Sequence, residues 1–167
     1  MNTRTFPATK LVALVAAGAM SVATFASAQA ATATATLSVS ASIAGACTVG
    51  GSALSFGAYA SAAASTANSN IQVTCSNGTS ALVTLNQGNN NNRVPASGTR
   101  ALNNGTNYLG YDIYTDNTLA TVWNATNNLP VVSTGSPVTL TAYGRIPAGQ
   151  SPATGSYNDT VTITVTF

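Results

Sequence analysis

The sequence predicts an all-β protein whose strands pack as a β-sandwich, and three observations lead to this prediction. Residues 31–43, ATATATLSVSASI, place an apolar side chain at every odd position and Thr or Ser at every even position. In residues 157–167, YNDTVTITVTF, the apolar Val161, Ile163, Val165 and Phe167 alternate with threonines in the same way. Such alternation is typical of strands, because successive side chains point to opposite faces. Between these segments Gly, Asn and Ser are abundant, and no window has the apolar spacing and caps of a helix.

Residues 1–30 predict a secretory signal peptide. Arg4 and Lys10 give a positive n-region, residues 11–20 an apolar h-region, and Ala28-Gln29-Ala30 an A-x-A cleavage signature, with cleavage after Ala28 as the alternative. The apolar run is too short for a transmembrane helix, so we expect export without membrane insertion. The remaining residues, 31–167, suit one domain.

The mature chain carries almost no charge. Its charged residues are Arg93, Arg100, Arg145, Asp112, Asp116 and Asp159, so the formal charge of +2 belongs to the precursor. No basic surface is left for phosphates or anionic lipid, which argues against nucleic acid and membrane surfaces as partners. So few charges favour a chain that is kept in solution by Asn, Thr and Ser, or one that exists in an assembly.

Two cysteines remain, Cys47 and Cys75. In an exported protein an even pair predicts one disulfide, here closing a loop of about 29 residues. On the chain-entropy model such a loop is worth about 3.5 kcal/mol. The alternative is two buried free thiols.

Short strand candidates follow the opening segment, with turn residues between them. They are residues 53–59, 70–75, 80–86, 106–116, 121–124, 136–146 and 157–167. Asn77-Gly78 predicts a hairpin turn. The alanine-rich stretch 61–70 is interpreted as a loop, with a helical turn as the alternative, and 87–98 and 148–156 as polar loops. Seven or eight short antiparallel strands favour an immunoglobulin-like sandwich.

The sequence lacks the groups that catalysis and metal binding need. It has no His and no Glu, and its only Lys is Lys10. Asp112 and Asp116 would lie about 13 Å apart on one strand, too far for a paired-carboxylate site. Two thiols without imidazole do not make a zinc site, and the carboxylates are too scattered for calcium. We therefore predict no enzyme activity, no metal and no cofactor.

Two further patterns have weaker explanations. Asn-x-Thr sequons at Asn77, Asn104, Asn124 and Asn158 are interpreted as coincidence in an Asn- and Thr-rich chain. The aromatic residues Trp123, Tyr108, Tyr111 and Tyr114 are compatible with a sugar-binding platform. We favour core positions for them, because aromatic residues on strands usually fill a sandwich core.

Taken together, these features resemble the spore coat protein U domain, the fold of archaic (Csu-type) chaperone–usher pilus subunits. The resemblance covers the whole mature chain. The segments that show it are the alternating segment leading to GACTVGG (45–51), then 54–59, 71–78, 108–124, 141–150 and 155–167. The last of these, GSYNDTVTITVTF, is the most specific, with G-x-Y-x-D-T before alternating apolar residues and a final Phe.

The resemblance implies an incomplete immunoglobulin-like sandwich, residues 42–167, completed by a donor strand from a neighbouring subunit. The donor would be residues 31–41, with Ala33, Ala35, Leu37, Val39 and Ala41 facing the groove. The acceptor groove would be lined by Val161, Ile163, Val165 and Phe167. The Cys47–Cys75 disulfide would then tie the first strand to the second.

The same resemblance implies the partners and the location. A periplasmic chaperone would fill the groove first, and at an outer-membrane usher the next subunit would replace it. The chain would be a structural subunit, most consistent with the major rod subunit, of a surface pilus that supports attachment or biofilm formation. Two alternatives stay open: a self-complete secreted sandwich that binds carbohydrate or a surface, and a coat protein that uses the same domain.

Overall fold

The computed structural model describes residues 30–167, so the predicted signal peptide, 1–30, lies outside the described residues except for Ala30. The described chain divides into a segment ending at Ser40 and a compact unit, Ala41–Phe167. The strands are β1 (Cys47–Gly51), β2 (Ser65–Cys75), β3 (Ser80–Leu85), β4 (Arg100–Asn103), β5 (Tyr108–Tyr114), β6 (Leu129–Val132), β7 (Val138–Ile146) and β8 (Ile163–Thr166). Residues 30–167 contain no helix long and apolar enough to cross a membrane.

The strands form two antiparallel sheets. One has five strands in the order β1-β2-β7-β5-β4, and the other has three in the order β6-β3-β8. Every strand pair is antiparallel. The inward side chains of both sheets belong to one apolar cluster. The predicted all-β sandwich is therefore confirmed.

The core follows from period-two alternation in the central strands. β2 buries Ile71, Val73 and Cys75, and β3 buries alternate residues in the same way. Trp123 is fully buried, and its indole N–H donates a hydrogen bond to the carbonyl of Val83 at 2.9 Å. A buried Trp needs such a partner for its one donor.

A buried arginine also links the two sheets. The side chain of Arg100, at the start of β4, is fully buried. Its Nε and Nη2 donate to the carbonyl of Asn86 at 3.0 and 2.8 Å, and Nη2 donates to the carbonyl of Trp123 at 2.6 Å. Within residues 30–167 its Nη1 has no hydrogen-bond partner, and it lies 3.9 Å from Oδ1 of Asp112. Burial lowers the pKa of the guanidinium, and nearby phenol and carboxylate groups oppose that shift.

The predicted disulfide is present. Cys47 and Cys75 are direct partners in the β1–β2 register, with Cα atoms 4.0 Å apart. The bond attaches the beginning of β1 to the end of β2. Since β1 is an edge strand, the disulfide is its covalent link to the sheet.

The structure differs from the sequence prediction at residues 53–59, which form no strand. Gly57 has a φ of +68°, which interrupts an extended backbone. The alternation nevertheless has a cause, because Leu54 and Phe56 are half-buried against the core. Phe56 contacts Tyr111 edge to face, with ring centroids 5.8 Å apart. Packing, and not backbone pairing, produces the pattern.

Two predictions next to β2 are also wrong. The stretch 61–70, predicted as a loop, contributes residues 65–70 to β2, where they pair with β7. Asn77-Gly78 forms a turn, but β2 and β3 belong to different sheets, so it is not a hairpin. The Gly78 amide instead donates to the carbonyl of Ser133 at 2.9 Å. The turn therefore carries the chain from one sheet to the other.

Short strands account for the remaining differences. The sequence prediction omitted β1, β4 and β6, which have four or five residues each. The predicted strand at 121–124 is reduced to a single bridge between Tyr114 and Val122. The last strand begins at Ile163, and the chain before it is irregular apart from a bridge at Asn158.

We expect the Cys47→Ser/Cys75→Ser variant to lose about 3.5 kcal/mol of unfolding free energy, because the unfolded chain regains the freedom of the loop. Urea unfolding of the oxidised protein and the variant measures the difference. Reduced wild-type protein is the control and should match the variant. An unchanged urea midpoint in both would contradict this role for the disulfide.

We expect Gly144→Ala to destabilise the protein by about 1–3 kcal/mol through overpacking. A Cβ at Gly144 would lie 2.7 Å from Cζ of Phe56 and 2.8 Å from Cδ2 of Leu54. Gly50→Ala is the matched control, since its Cβ would meet nothing within 4 Å. Thermal unfolding of both variants tests the difference, and equal melting temperatures would count against close packing of residues 54–56 on β7.

Candidate functional site

The two sheets end side by side in edge strands that lack a second partner. Within residues 30–167, β1 pairs only with β2, and β8 pairs only with β3. The two edge strands nevertheless lie close together, with Cα atoms within 8 Å. A Cβ built on Gly51 would lie 2.9 Å from Cδ1 of Ile163. A Cβ built on Gly45 would lie 4.0 Å from the ring of Phe167. β1 and β8 therefore run in opposite directions as neighbouring open edges of the two sheets, and a groove opens where β1 ends and β8 begins.

The groove continues beyond the ends of both strands. The chain after β1 and the chain before β8 border a cavity of about 300 Å³. Leu54, Phe56, Ile113, Val161 and Ile163 are among its apolar lining residues. A single water takes up roughly 30 Å³ in the liquid, and natural cores contain few voids larger than that. The sandwich is thus incompletely filled beside β8.

A second cavity, of about 1020 Å³, extends the groove away from β1. It lies between residues 53–61 and 150–159 and shares Leu54, Phe56 and Asp159 with the first cavity. The two cavities therefore form one depression along residues 150–163.

Of the predicted acceptor residues, Val161 and Ile163 line the first cavity, and Val165 and Phe167 continue this wall along β8 beyond it. Val161, Ile163 and Val165 are half-buried and pack against the core, whereas the threonines between them are exposed. Ile163 is the register partner of Leu85, and Val165 is the partner of Val83. Phe167 is 59% exposed at the end of this wall. The structure thus brings the four predicted residues together, and their role as an acceptor stays a prediction.

The sequence prediction missed the opposite wall. Leu54 and Phe56 line the groove from the irregular segment after β1. The alternation at 53–59 marked these side chains, but no pattern within the segment indicates that it lies across from residues 157–163. That placement depends on which edges the two sheets leave open.

Asp159 anchors the groove where the two cavities meet. Its Oδ2 accepts a hydrogen bond from the Tyr111 hydroxyl at 2.8 Å. Its Oδ1 accepts from the Asn89 amide at 3.0 Å and from Nδ2 of Asn90 at 3.1 Å. One carboxylate therefore joins β5, the 87–98 loop and the start of the acceptor wall. Sequence reasoning recorded Asp159 as a charge and as part of the G-x-Y-x-D-T motif, without assigning it these contacts.

Tyr111 responds to this environment. Its side chain is buried in β5, and burial raises its pKa well above the ordinary range. The hydrogen bond to Asp159 and the charge of that carboxylate act in the same direction, while Arg100 opposes them. The phenol therefore stays a neutral donor to Asp159 at neutral pH.

The other two carboxylates are occupied by local hydrogen bonds. Oδ1 of Asp112 accepts from the Thr99 amide at 3.1 Å and from the Thr99 hydroxyl at 2.6 Å. Asp116 closes a turn by accepting from the hydroxyl and amide of Thr118, bonds that lower its pKa. In the part of the chain that the structure describes, no three His, Cys, Asp or Glu residues are grouped as for a metal ion.

The predicted donor segment is extended and contains no strand. No residue from 30 to 45 belongs to a strand, and the first backbone hydrogen bond to the sheet is the Ser76 amide donating to the Ala46 carbonyl at 2.8 Å. Leu37 is 88% exposed, Val39 is 86% exposed, and Ala33, Ala35 and Ala41 are exposed as well. The alternation of residues 31–43 thus has no partner strand, and the assignment of 31–41 as the donor stays a prediction.

The aromatic residues separate into two sets. Trp123 and Tyr111 are in the core, as predicted. Tyr108 and Tyr114 occupy outward positions of β5 and are only half-buried, so the predicted core position is wrong for them. Side chains an odd number of residues apart on a strand point to opposite faces. Tyr111 is three residues from Tyr108 and three from Tyr114, so it faces the core while they face outward.

We expect stability to fall as the pH rises above about 10. An unfolded Tyr ionises near pH 10, whereas folding raises the pKa of Tyr111. The unfolded state therefore loses its proton first, and the contribution of Tyr111 is complete below about pH 10 and is lost above it. Tyr111→Phe should flatten this dependence, leaving a remainder from Tyr114, whose pKa burial also raises. Urea unfolding between about pH 8 and about pH 11 tests this, and an identical slope in the variant would contradict it.

Comparison with known proteins agrees with this geometry. The family model of the Spore Coat Protein U domain matches residues 33–164. Protein U of Myxococcus xanthus is 38% identical over 103 residues, which cover 56% of this chain and 55% of that protein. The matched region thus spans about half of the relative's length.

The fold is also similar to a solved structure. A chain of the CsuC–CsuE chaperone–tip adhesion subunit pre-assembly complex, from archaic chaperone-usher Csu pili of Acinetobacter baumannii, matches with a TM-score of 0.54 and 26% identity. The match covers 75% of this chain and 40% of that chain. The resemblance inferred from the sequence is confirmed. Because the family model spans well over half of the sequence, the chain belongs to the Spore Coat Protein U domain family.

Proposed function

We propose that the protein is a structural subunit of a surface pilus assembled by the chaperone–usher route, in which each subunit donates a strand to its neighbour. The observation that carries this proposal is the pair of open edges, β1 and β8, with the cavity that opens at the start of β8. An unpaired edge is a template for another chain. An added strand supplies backbone hydrogen bonds and places alternate side chains in pockets.

Residues 31–41 match this groove in pattern and length. The donor has eleven residues and spans about 36 Å when extended, enough to follow β8 and the irregular residues 157–162 before it. Its odd positions are apolar and would face the core, leaving Thr and Ser outward. A slip of one residue would turn every hydroxyl into the groove, so alternation sets the register.

The apolar contribution of the donor is concentrated in two residues. Alanines at 33, 35 and 41 fill little volume, so their burial contributes about 1 kcal/mol or less each. Leu37 and Val39 are the large side chains that would fill the cavity beside Ile163. Backbone pairing and these two residues therefore form most of the joint.

Head-to-tail donation leaves one groove and one donor free at the two ends, so it produces a filament. A chain with its own donor and one domain suits a repeating rod position.

Before assembly the open groove needs protection, which is the role we assign to a periplasmic chaperone. The solved relative is a chaperone–subunit complex, and we infer the same kind of partner here. An outer-membrane usher and a location on the cell surface complete this proposal, with attachment or biofilm formation as the result.

A coat protein is the second candidate. The observation that favours it is the 38% identity to Protein U and the family name. Both candidates use the same domain. Chaperone and usher genes beside the gene for this chain would favour the pilus, and their absence would favour the coat.

We expect Leu37→Asp to abolish chain-to-chain assembly, because it places a charge in an apolar cavity without a partner. Thr36→Asp is the matched control, since it introduces the same charge one position away on the outward face. Size-exclusion chromatography of the two purified variants over several days compares their assembly. Polymers formed by Leu37→Asp, or lost equally in both variants, would contradict donation by the odd positions.

We also expect deletion of residues 31–41 to leave an assembly-deficient subunit that a peptide of residues 31–43 stabilises when added in solution. Ligand binding to the folded state raises the melting temperature in a concentration-dependent way. A peptide with the order of residues 31–43 scrambled is the control. Assembly of the deletion variant, or an equal effect of both peptides, would contradict strand donation.

A further inference from the structure

The five-stranded sheet has an outer face that the groove does not use. On β2, β5 and β7 the buried side chains alternate with outward ones. The outward positions of β2 and β7 carry Thr, Asn, Gln, Tyr and Arg but no aliphatic side chain. This face is turned away from the core and from the proposed donor.

Two tyrosines lie side by side on this face. Tyr114 of β5 is the direct register partner of Tyr143 of β7, and Tyr143 is also the partner of Asn68 of β2. Direct cross-strand neighbours on one face have Cβ atoms about 4.5–5.5 Å apart. The three side chains therefore form a row about 10 Å wide across three strands.

The polar groups of this row are available to a ligand. Both tyrosines are half-buried and Asn68 is exposed. Within residues 30–167, neither phenol hydroxyl and no atom of the Asn68 amide forms a side-chain hydrogen bond, whereas neighbouring Thr141 donates to Asn70 at 3.4 Å. The row thus offers two aromatic surfaces together with unoccupied donors and acceptors.

The charge on this face indicates what kind of ligand fits. Arg145 and Asp112, one cation and one anion, are direct register partners next to the tyrosines, and Asp112 also lies 3.9 Å from the buried Arg100. A balanced pair gives no general attraction for a polyanion. The large exposed apolar side chains of residues 30–167, such as Leu82 and Val132, lie elsewhere. A protein partner would therefore find no apolar centre here, which protein interfaces normally contain.

We propose that Tyr114, Tyr143 and Asn68 form a binding site for a neutral oligosaccharide. The C–H face of a pyranose ring is apolar and stacks on an aromatic ring, while its hydroxyl groups exchange hydrogen bonds with phenol and amide groups. The proposal goes beyond the pilus function and does not depend on the groove, so either can fail without the other.

Saturation-transfer difference NMR with cellohexaose, chitohexaose and maltohexaose tests the site, because it reports binding to monomers and polymers alike. We expect at least one of the three to bind the full mature chain. Tyr143→Ser should weaken that binding about tenfold or more, and Tyr143→Phe, which keeps the ring, should retain most of it. Tyr108→Ser is the matched control on the same face, where Arg93 already covers the ring at 5.3 Å.

Several results would overturn the site. The site is wrong if none of the three sugars binds, or if Tyr143→Ser and Tyr108→Ser bind them equally well. It is also wrong if hexagalacturonate binds more strongly than the neutral sugars. A dimer in solution that Tyr143→Ser dissociates would show that a second copy occupies the face. Circular dichroism of each variant confirms folding, and Tyr143→Phe separates loss of the ring from loss of the fold.

Discussion

The unpaired backbone of β1 and β8 is the constraint on which the rest of the structure depends. Each strand has a hydrogen-bonded neighbour on one side only, and backbone groups that are shielded from water need a partner. The inward side chains of β8 are apolar and already half-buried, so the edge cannot simply be exposed. A further strand with the same alternation meets both needs at once, which is why we connect the groove to residues 31–41.

Polar groups inside the sandwich hold this open edge in shape. Arg100 and Trp123 bind carbonyl groups of the three-stranded sheet and of the segment following it. Asp159 joins the start of the acceptor wall to β5 through Tyr111. These bonds are buried or half-buried, where hydrogen bonds are strong and a lost partner is costly. An empty groove therefore has walls that do not rely on its occupant for their position.

Period-two patterns were enough to predict β3, β5, β7 and the end of β2, because alternation reports on local geometry. The disulfide was predicted from two cysteines in an exported chain, which leave one possible pairing. The sequence prediction missed β4 and β6, since RALN and LPVV are too short to alternate visibly. It placed 53–59 in a strand because inward packing of Leu54 and Phe56 creates the same alternation. The positions of Tyr143 and Asp159 depend on register and on contacts between distant residues, which alternation within one segment does not contain.

The position of the disulfide has a mechanical consequence. In a filament built as proposed, tension would enter each subunit through residues 42–46 and reach the folded domain at Cys47. An edge strand loaded at its end would open one hydrogen bond at a time, which requires little force. Cys47 is bonded at that point to Cys75 of β2, and β2 pairs along nine residues with β7. The load would therefore pass covalently into the middle of the sheet, leaving β1 as an unstrained wall of the groove.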